Sequence, residues 1–159
     1  MDPQVDPRKL LVLNAGSSSI KFALFDHALC ELVSGIAEGI GQASKLTVEG
    51  QIEEMPFIDH RAALTAVLKR LKDRGFEFEK LAAVGHRVVH GGHKLTRPIR
   101  ITTQVRSEIN DCTPLAPLHN PHNLAAIDML SELAPDVPQY ASFDTSFHAT
   151  NPEVATRYA

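Results

Sequence analysis

The first apolar segment, Leu10-Leu11-Val12-Leu13, is an unbroken run, long enough for a strand buried on both faces and too short for a helix. Further on the rhythm changes. Ile20, Phe22 and Leu24 alternate with Lys21, Ala23 and Phe25, the period of two that marks a strand with one face inward. With Asn14-Ala15-Gly16-Ser17-Ser18-Ser19 between them, the two strands predict a hairpin. Ser34 to Ile40 and Leu46-Thr47-Val48 read as further short strands, parted by Gly39-Ile40-Gly41.

A helical period then takes over. Asp59 is placed to cap a helix from His60 to Arg74, in which Leu64, Val67, Leu68 and Leu71 share one face and Gly75 supplies the stop. Leu81-Ala82-Ala83-Val84 is again a buried strand, running directly into Gly85-His86-Arg87-Val88-Val89-His90-Gly91-Gly92. A second helix starts at Thr102 or Thr103, turns Val105 and Ile109 inward, and cannot continue through Pro114. Asn120 and Pro121 form an N-cap and first-position pair for a third helix, with Leu124, Ile127 and Leu130 inward and Pro135 closing it. Tyr140-Ala141-Ser142-Phe143 is a last short strand.

Early antiparallel strands followed by alternating strand and helix predict an α/β domain with a mixed sheet flanked by helices. One core is expected, from the Leu10 strand through the Leu64 to Leu71 helix face to Phe143. Residues 1–9 are polar, contain Pro3 and Pro7, and read as a flexible leader to a domain spanning 10–159.

Composition narrows the partners. Sixteen basic against nineteen acidic residues give a net charge of −3, which supplies no electrostatic reason to expect nucleic acid or an anionic membrane. Cys30 and Cys112 lie far apart without C-x-x-C spacing, so neither a disulfide framework nor a zinc ribbon is implied. No stretch reads as a signal region or approaches the length of a membrane span, and a cytoplasmic protein acting on small molecules is the expectation.

Three polar clusters sit where a strand has just ended, the place where open α/β sheets gather ligands: Asn14 to Ser19, Gly85 to Gly92, and Asp144 to His148. The first offers glycine flexibility, hydroxyls and backbone N–H groups able to hold a phosphate, and Lys21 adds a point charge on the face opposite the apolar one. It is not a Walker A loop, because that spacing is absent and a strand follows the turn. Most turns of this composition bind nothing. Arg87 lies among glycines and histidines, as a planar anion-binding group would, although a strand-end salt bridge is the plainer role. His86 and His90 read as bonding neighbouring backbone and fixing the loop. His86, His90 and His93 are closely spaced, but His-x-x-x-His binds metal readily on a helix, which Val88-Val89 and Gly91-Gly92 oppose, so zinc ranks low. The ordinary role of Asp144 is that of a turn cap, and only its position beyond a strand sets it apart. His119 and Asn120 have the ordinary role of capping the Pro121 helix, which for His119 stands level with a place in the site. Taken together, the clusters suit phosphoryl transfer to or from an anionic small molecule.

Val84 to Gly92 and Leu13-Asn14-Ala15-Gly16-Ser17-Ser18-Ser19-Ile20-Lys21 resemble the two long signatures of the acetokinase group, the acetate and propionate kinases of the actin-like ATPase superfold. Leu115-Ala116-Pro117-Leu118-His119-Asn120-Pro121 and Phe143-Asp144-Thr145-Ser146-Phe147-His148 match the same family in the expected order. The resemblance implies a ribonuclease H-like domain, one half of a two-domain kinase and in full length a homodimer. It implies ATP and Mg2+ as cofactors, with Mn2+ the alternative ion, and conversion of acetate to acetyl phosphate by direct in-line transfer. Asn14 then belongs to the magnesium site, and Ser17, Ser19 and Lys21 to the nucleotide phosphates. Arg87 becomes a ligand of the carboxylate or phosphoryl, with Val89 and Leu118 lining the substrate methyl pocket. Asp144 becomes the catalytic carboxylate and His119 a helper near the phosphoryl.

Family members run much further than Ala159, through a later His and Arg, adenosine-binding loops and a Glu for magnesium. The isolated chain is therefore expected to be inactive. Propionate or butyrate kinase is the nearest rival reading; a folded fragment that binds anions or a partner domain without catalysis is the rival from another class.

Overall fold

The computed structural model describes residues 8–145. Within them the chain runs β1 (Leu10–Ala15), β2 (Ser19–Phe25), β3 (Glu31–Glu38), β4 (Lys45–Val48), β5 (Gln51–Glu54), α1 (His60–Asp73), β6 (Ala83–Val88), β7 (Ile99–Arg100), α2 (Thr103–Asp111), α3 (Asn120–Leu133) and β8 (Gln139–Phe143). One eight-stranded sheet holds the order β5-β4-β3-β2-β1-β6-β8-β7. β1 to β5 form an antiparallel meander, β1, β6 and β8 run parallel, and β7 is an antiparallel edge. This is the expected mixed α/β sheet.

Alternation sorts the two faces. Leu11, Leu13, Ile20, Phe22, Leu24, Val84, His86, Val88, Ala141 and Phe143 are buried on the face where the helices pack. There α1 (Ala63, Leu64, Val67, Leu71) and α3 (Ala126, Met129, Leu130) join β1 to β4 in one cluster. Val105 and Ile109 of α2 meet Leu124, Ile127, Val88, Ala141 and Phe143 in a second. The core is thus two clusters rather than the single one expected, with polar His86 standing on β6 between Val84 of the first and Val88 of the second. Each fully buried Leu or Ile stabilises the fold by roughly 1.5–3 kcal/mol. The opposite face carries Val12, Asn14, Lys21, Gly85, Arg87, Tyr140 and Ser142, and no helix among the described residues covers it.

Local chemistry explains most boundaries. Asp59 caps α1 by accepting from the Ala62 N–H at 2.8 Å, and the Gly75 N–H closes on the Lys72 carbonyl. Thr102 caps α2, accepting from the Val105 N–H at 3.2 Å.

Four boundaries depart from expectation. β6 begins at Ala83 and continues through Gly85-His86-Arg87-Val88, so those residues belong to the strand and the loop starts only at Val89. The period-two burial of Val84, His86 and Val88 was disguised by a polar residue at its centre. His119, not Asn120, occupies the N-cap of α3, and its side chain makes no capping bond there. β5 has no apolar alternation and forms through its turn, in which Glu49 and Gly50 both take positive φ (50° and 77°), the pairing that closes a two-residue hairpin. Lys9, placed in the leader by its polarity, already accepts from the Ala82 N–H at 2.8 Å; residues 1–7 lie outside the described part.

Candidate active site

Strand register builds a row of side chains on the helix-free face. Lys21 pairs with Asn14 across β2 and β1. Leu13 pairs with His86 across parallel β1 and β6, so the next residues, Asn14 and Arg87, follow side by side, and Arg87 pairs with Ser142 of β8. Neighbouring strands lie ~4.8 Å apart, which puts the backbones of Lys21 and Arg87 about 10 Å from each other with the Asn14 position between. Just past β8, Asp144 grips Arg87 with both oxygens, Nε donating to Oδ1 at 2.8 Å and Nη2 to Oδ2 at 2.7 Å. Hydrogen bonding to Asp144, reinforced by its charge, raises the Arg87 pKa further above its ordinary value.

The turn at the end of β1 is held from beneath. Its Gly16 N–H closes on the Ser19 carbonyl at 2.8 Å, leaving Ser17 and Ser18 exposed. His60, first residue of α1, donates from Nε2 to the Gly16 carbonyl at 2.6 Å. Asn123 of α3 donates from Nδ2 to the Ala15 carbonyl at 2.7 Å and accepts from the Val89 N–H at 3.3 Å. Asn120 accepts from the His90 N–H at 3.3 Å and donates to the His90 carbonyl at 3.1 Å. Both amides are buried, at 0% and 2% exposure, and both are satisfied by backbone that no regular ladder serves.

The loop beyond β6 is fixed at its far end too. Thr145 Oγ1 accepts from the Gly91 N–H at 3.1 Å, and His90 Nδ1 accepts from the Gly92 N–H at 2.9 Å, as expected for His90. A Cβ on Gly91 would lie 2.4 Å from the Leu95 carbonyl oxygen and 2.9 Å from the Phe143 ring, so only glycine fits.

His86 does something other than bond neighbouring backbone. Its Nε2 donates to Gln139 Oε1 at 2.6 Å, and Gln139 Nε2 donates in turn to the Ile127 carbonyl and to Ser131 Oγ, joining β6 and β8 to α3. Burial pushes its pKa down to about 4, the bond to Gln139 opposing only in part.

The other expected site residues fall as follows. Ser17 is exposed, Ser19 half-buried, and Lys21 exposed on the face its alternation required. Val89 is half-buried immediately past β6. Leu118, 71% exposed in the loop before α3, lines no closed pocket among the described residues. His119 is exposed, and no hydrogen bond among the described residues joins it to Arg87 or Asp144. Its charge instead helps to lower the pKa of His122, after burial and the charge of His60. Ser146, Phe147 and His148 of the third cluster lie outside the described residues. Among the described residues no three His, Cys, Asp or Glu converge as a metal site. His60, His122, Asn120 and Asn123 were not expected as site-forming residues. For the two amides a signal existed, because Asn120, Asn123, Ile127 and Leu130 fall on one helical stripe whose polar members needed buried partners.

A model of the acetokinase family matches residues 9–159. Acetate kinases from Streptomyces avermitilis and Deinococcus radiodurans are each 46% identical, over 98% and 94% of the chain. Among solved structures, Porphyromonas gingivalis acetate kinase (TM-score 0.85, 38% identity) and a Francisella tularensis propionate kinase (TM-score 0.85, 36% identity) each match 92% of the chain. The chain spans 41% and 39% of the two curated relatives and 40% and 39% of the two solved chains.

Proposed function

The chain belongs to the acetokinase family, and from that premise we propose that it is the N-terminal part of an acetate kinase, in which ATP phosphorylates acetate to acetyl phosphate by direct in-line transfer. The row Lys21, Asn14, Arg87, with Asp144 tied to its end, is the observation that carries the reading. Two cationic side chains rooted on strand positions about 10 Å apart along an uncovered face suit an anion bound at each, with the reacting centre between them.

In this reading Ser17, Ser19 and Lys21 receive the nucleotide phosphates. Arg87, whose guanidinium has five N–H donors and gives Nε and Nη2 to Asp144, turns its Nη1 edge to the carboxylate or the transferring phosphoryl. Val89 and Leu118 meet the methyl group, and His119 stands near the phosphoryl. Magnesium keeps phosphate oxygens and water in its shell and takes only one or two protein oxygens. The Asn14 amide and the Asp144 carboxylate are donors of that kind, and Asp144 is already shared with Arg87, so the residues fit an ion carried in with ATP rather than a preformed cage. When bound, the ion offsets phosphate charge. Acetate is ionised near neutral pH and presents no proton for removal, so Asp144 orients Arg87 and the nucleophile instead of acting as a general base.

The test is hydroxamate formation from ATP with acetate or propionate, using the longer protein that carries this chain. Preference for acetate is expected. Preference for propionate would favour the larger-acid reading, and no phosphorylation of either acid would leave the chain a non-catalytic member of its family.

A further inference from the structure

We infer that His60 is a positioning residue for the Gly16–Ser18 turn: by holding the Gly16 carbonyl it aims the Ser17 N–H at an oligophosphate. The inference rests on the proposed phosphate role of that turn. His60 Nε2 lies 2.6 Å from Gly16 O. A carbonyl oxygen brings no proton, so the imidazole donates, and the proton sits on Nε2. A peptide unit is planar and trans, so the Gly16 C=O and the Ser17 N–H point in opposite directions, and pinning one fixes the other. The same bond keeps the negative end of the Gly16 carbonyl dipole on the helix side, away from an arriving phosphate. The preceding carbonyl, Ala15, is held likewise by Asn123 at 2.7 Å, so two successive carbonyls are drawn to the first turns of α1 and α3. His60 is itself held in plane, stacked on His122 of α3 with centroids 4.4 Å apart and an interplanar angle of 19°.

The experiment titrates the 15N-labelled 159-residue chain with inorganic triphosphate and follows the Ser17 and Ser18 amides by NMR, in the parent, His60→Ala and His60→Gln. His60→Ala should weaken binding at least about fivefold, the loss of one hydrogen bond's worth of positioning, whereas His60→Gln, which keeps an N–H donor, should stay within about twofold. Equal binding by parent and His60→Ala would overturn the inference while leaving the phosphate reading intact. No amide shifts in the parent would overturn the phosphate reading itself and the inference with it. Should His60→Ala fail to fold, long-range 1H–15N spectra of the parent decide: a proton on His60 Nε2 supports the inference and a proton on Nδ1 overturns it.

Discussion

Arg87 on β6 and Asp144 beyond β8 hold each other through two parallel hydrogen bonds, although 57 residues separate them in the chain. Both side chains are more than a third exposed, 54% and 37%. An ion pair in that setting contributes about 1 kcal/mol or less to stability, so its geometry matters for orienting the guanidinium more than for holding the sheet.

Arg87→Ala should therefore leave the melting temperature nearly unchanged while lowering turnover and weakening carboxylic acid binding in the longer protein. The loss should be on the order of 2 kcal/mol or more once the site is closed from water. Steady-state kinetics within twofold of the parent would remove Arg87 from the site.

Asp144→Asn keeps an acceptor for Arg87 but removes the charge. Turnover should fall strongly and its dependence on magnesium concentration should change, with no new acidic limb in the pH–rate profile near neutrality. A variant with unaltered magnesium dependence and a displaced pH profile would restore the general-base role.

His86 supplies a pH-dependent part of stability. Its folded pKa, about 4, lies below the ordinary 6.5, so the unfolded chain binds the proton more readily. The contribution is complete above about pH 6.5 and is lost as pH falls toward 4, amounting to roughly 3 kcal/mol across that window. Urea denaturation over that range should show the slope in the parent and lack that part of it in His86→Gln; matching slopes would contradict the assignment.

Asn123→Ala strands two backbone groups, the Ala15 carbonyl at the end of β1 and the Val89 N–H just past β6. A destabilisation of about 2–4 kcal/mol is expected from one buried and one half-buried group left unsatisfied. Chemical denaturation showing less than about 1 kcal/mol would mean that water replaces the amide.

The 159-residue chain alone should fold, since both core clusters close within it, yet fail to turn over ATP and acetate. In-line transfer needs donor and acceptor aligned, a contribution that can reach roughly 7–11 kcal/mol, and the chain spans only 41% of its Streptomyces avermitilis relative. A hydroxamate rate near 10 per second, about the middle of the range for ordinary enzymes, would show that these 159 residues suffice for turnover.

The hairpin of β1 and β2, the three helices and the side of β2 that carries Lys21 were legible because each obeys a local period or cap. What escaped depends on partners distant in sequence. Gly85 to Val88 looked like loop because His86 breaks the apolar alternation, and its partner Gln139 lies 53 residues on. Asn120 looked like a cap because its real partners, His90 and Ile109, belong to other elements. The register that sets Asn14 between Lys21 and Arg87 needed the parallel β1–β6 pairing, which no spacing within either segment encodes.

Because Asn123 is bonded at once to the end of β1 and to the first residue beyond β6, while Asn120 holds the residue after that, the turn and the loop are bolted to a single helical turn. Neither can shift without carrying α3 along. Mechanically they form one rigid piece, so in the proposed reaction an anion would meet a turn and a loop already set in place by α3.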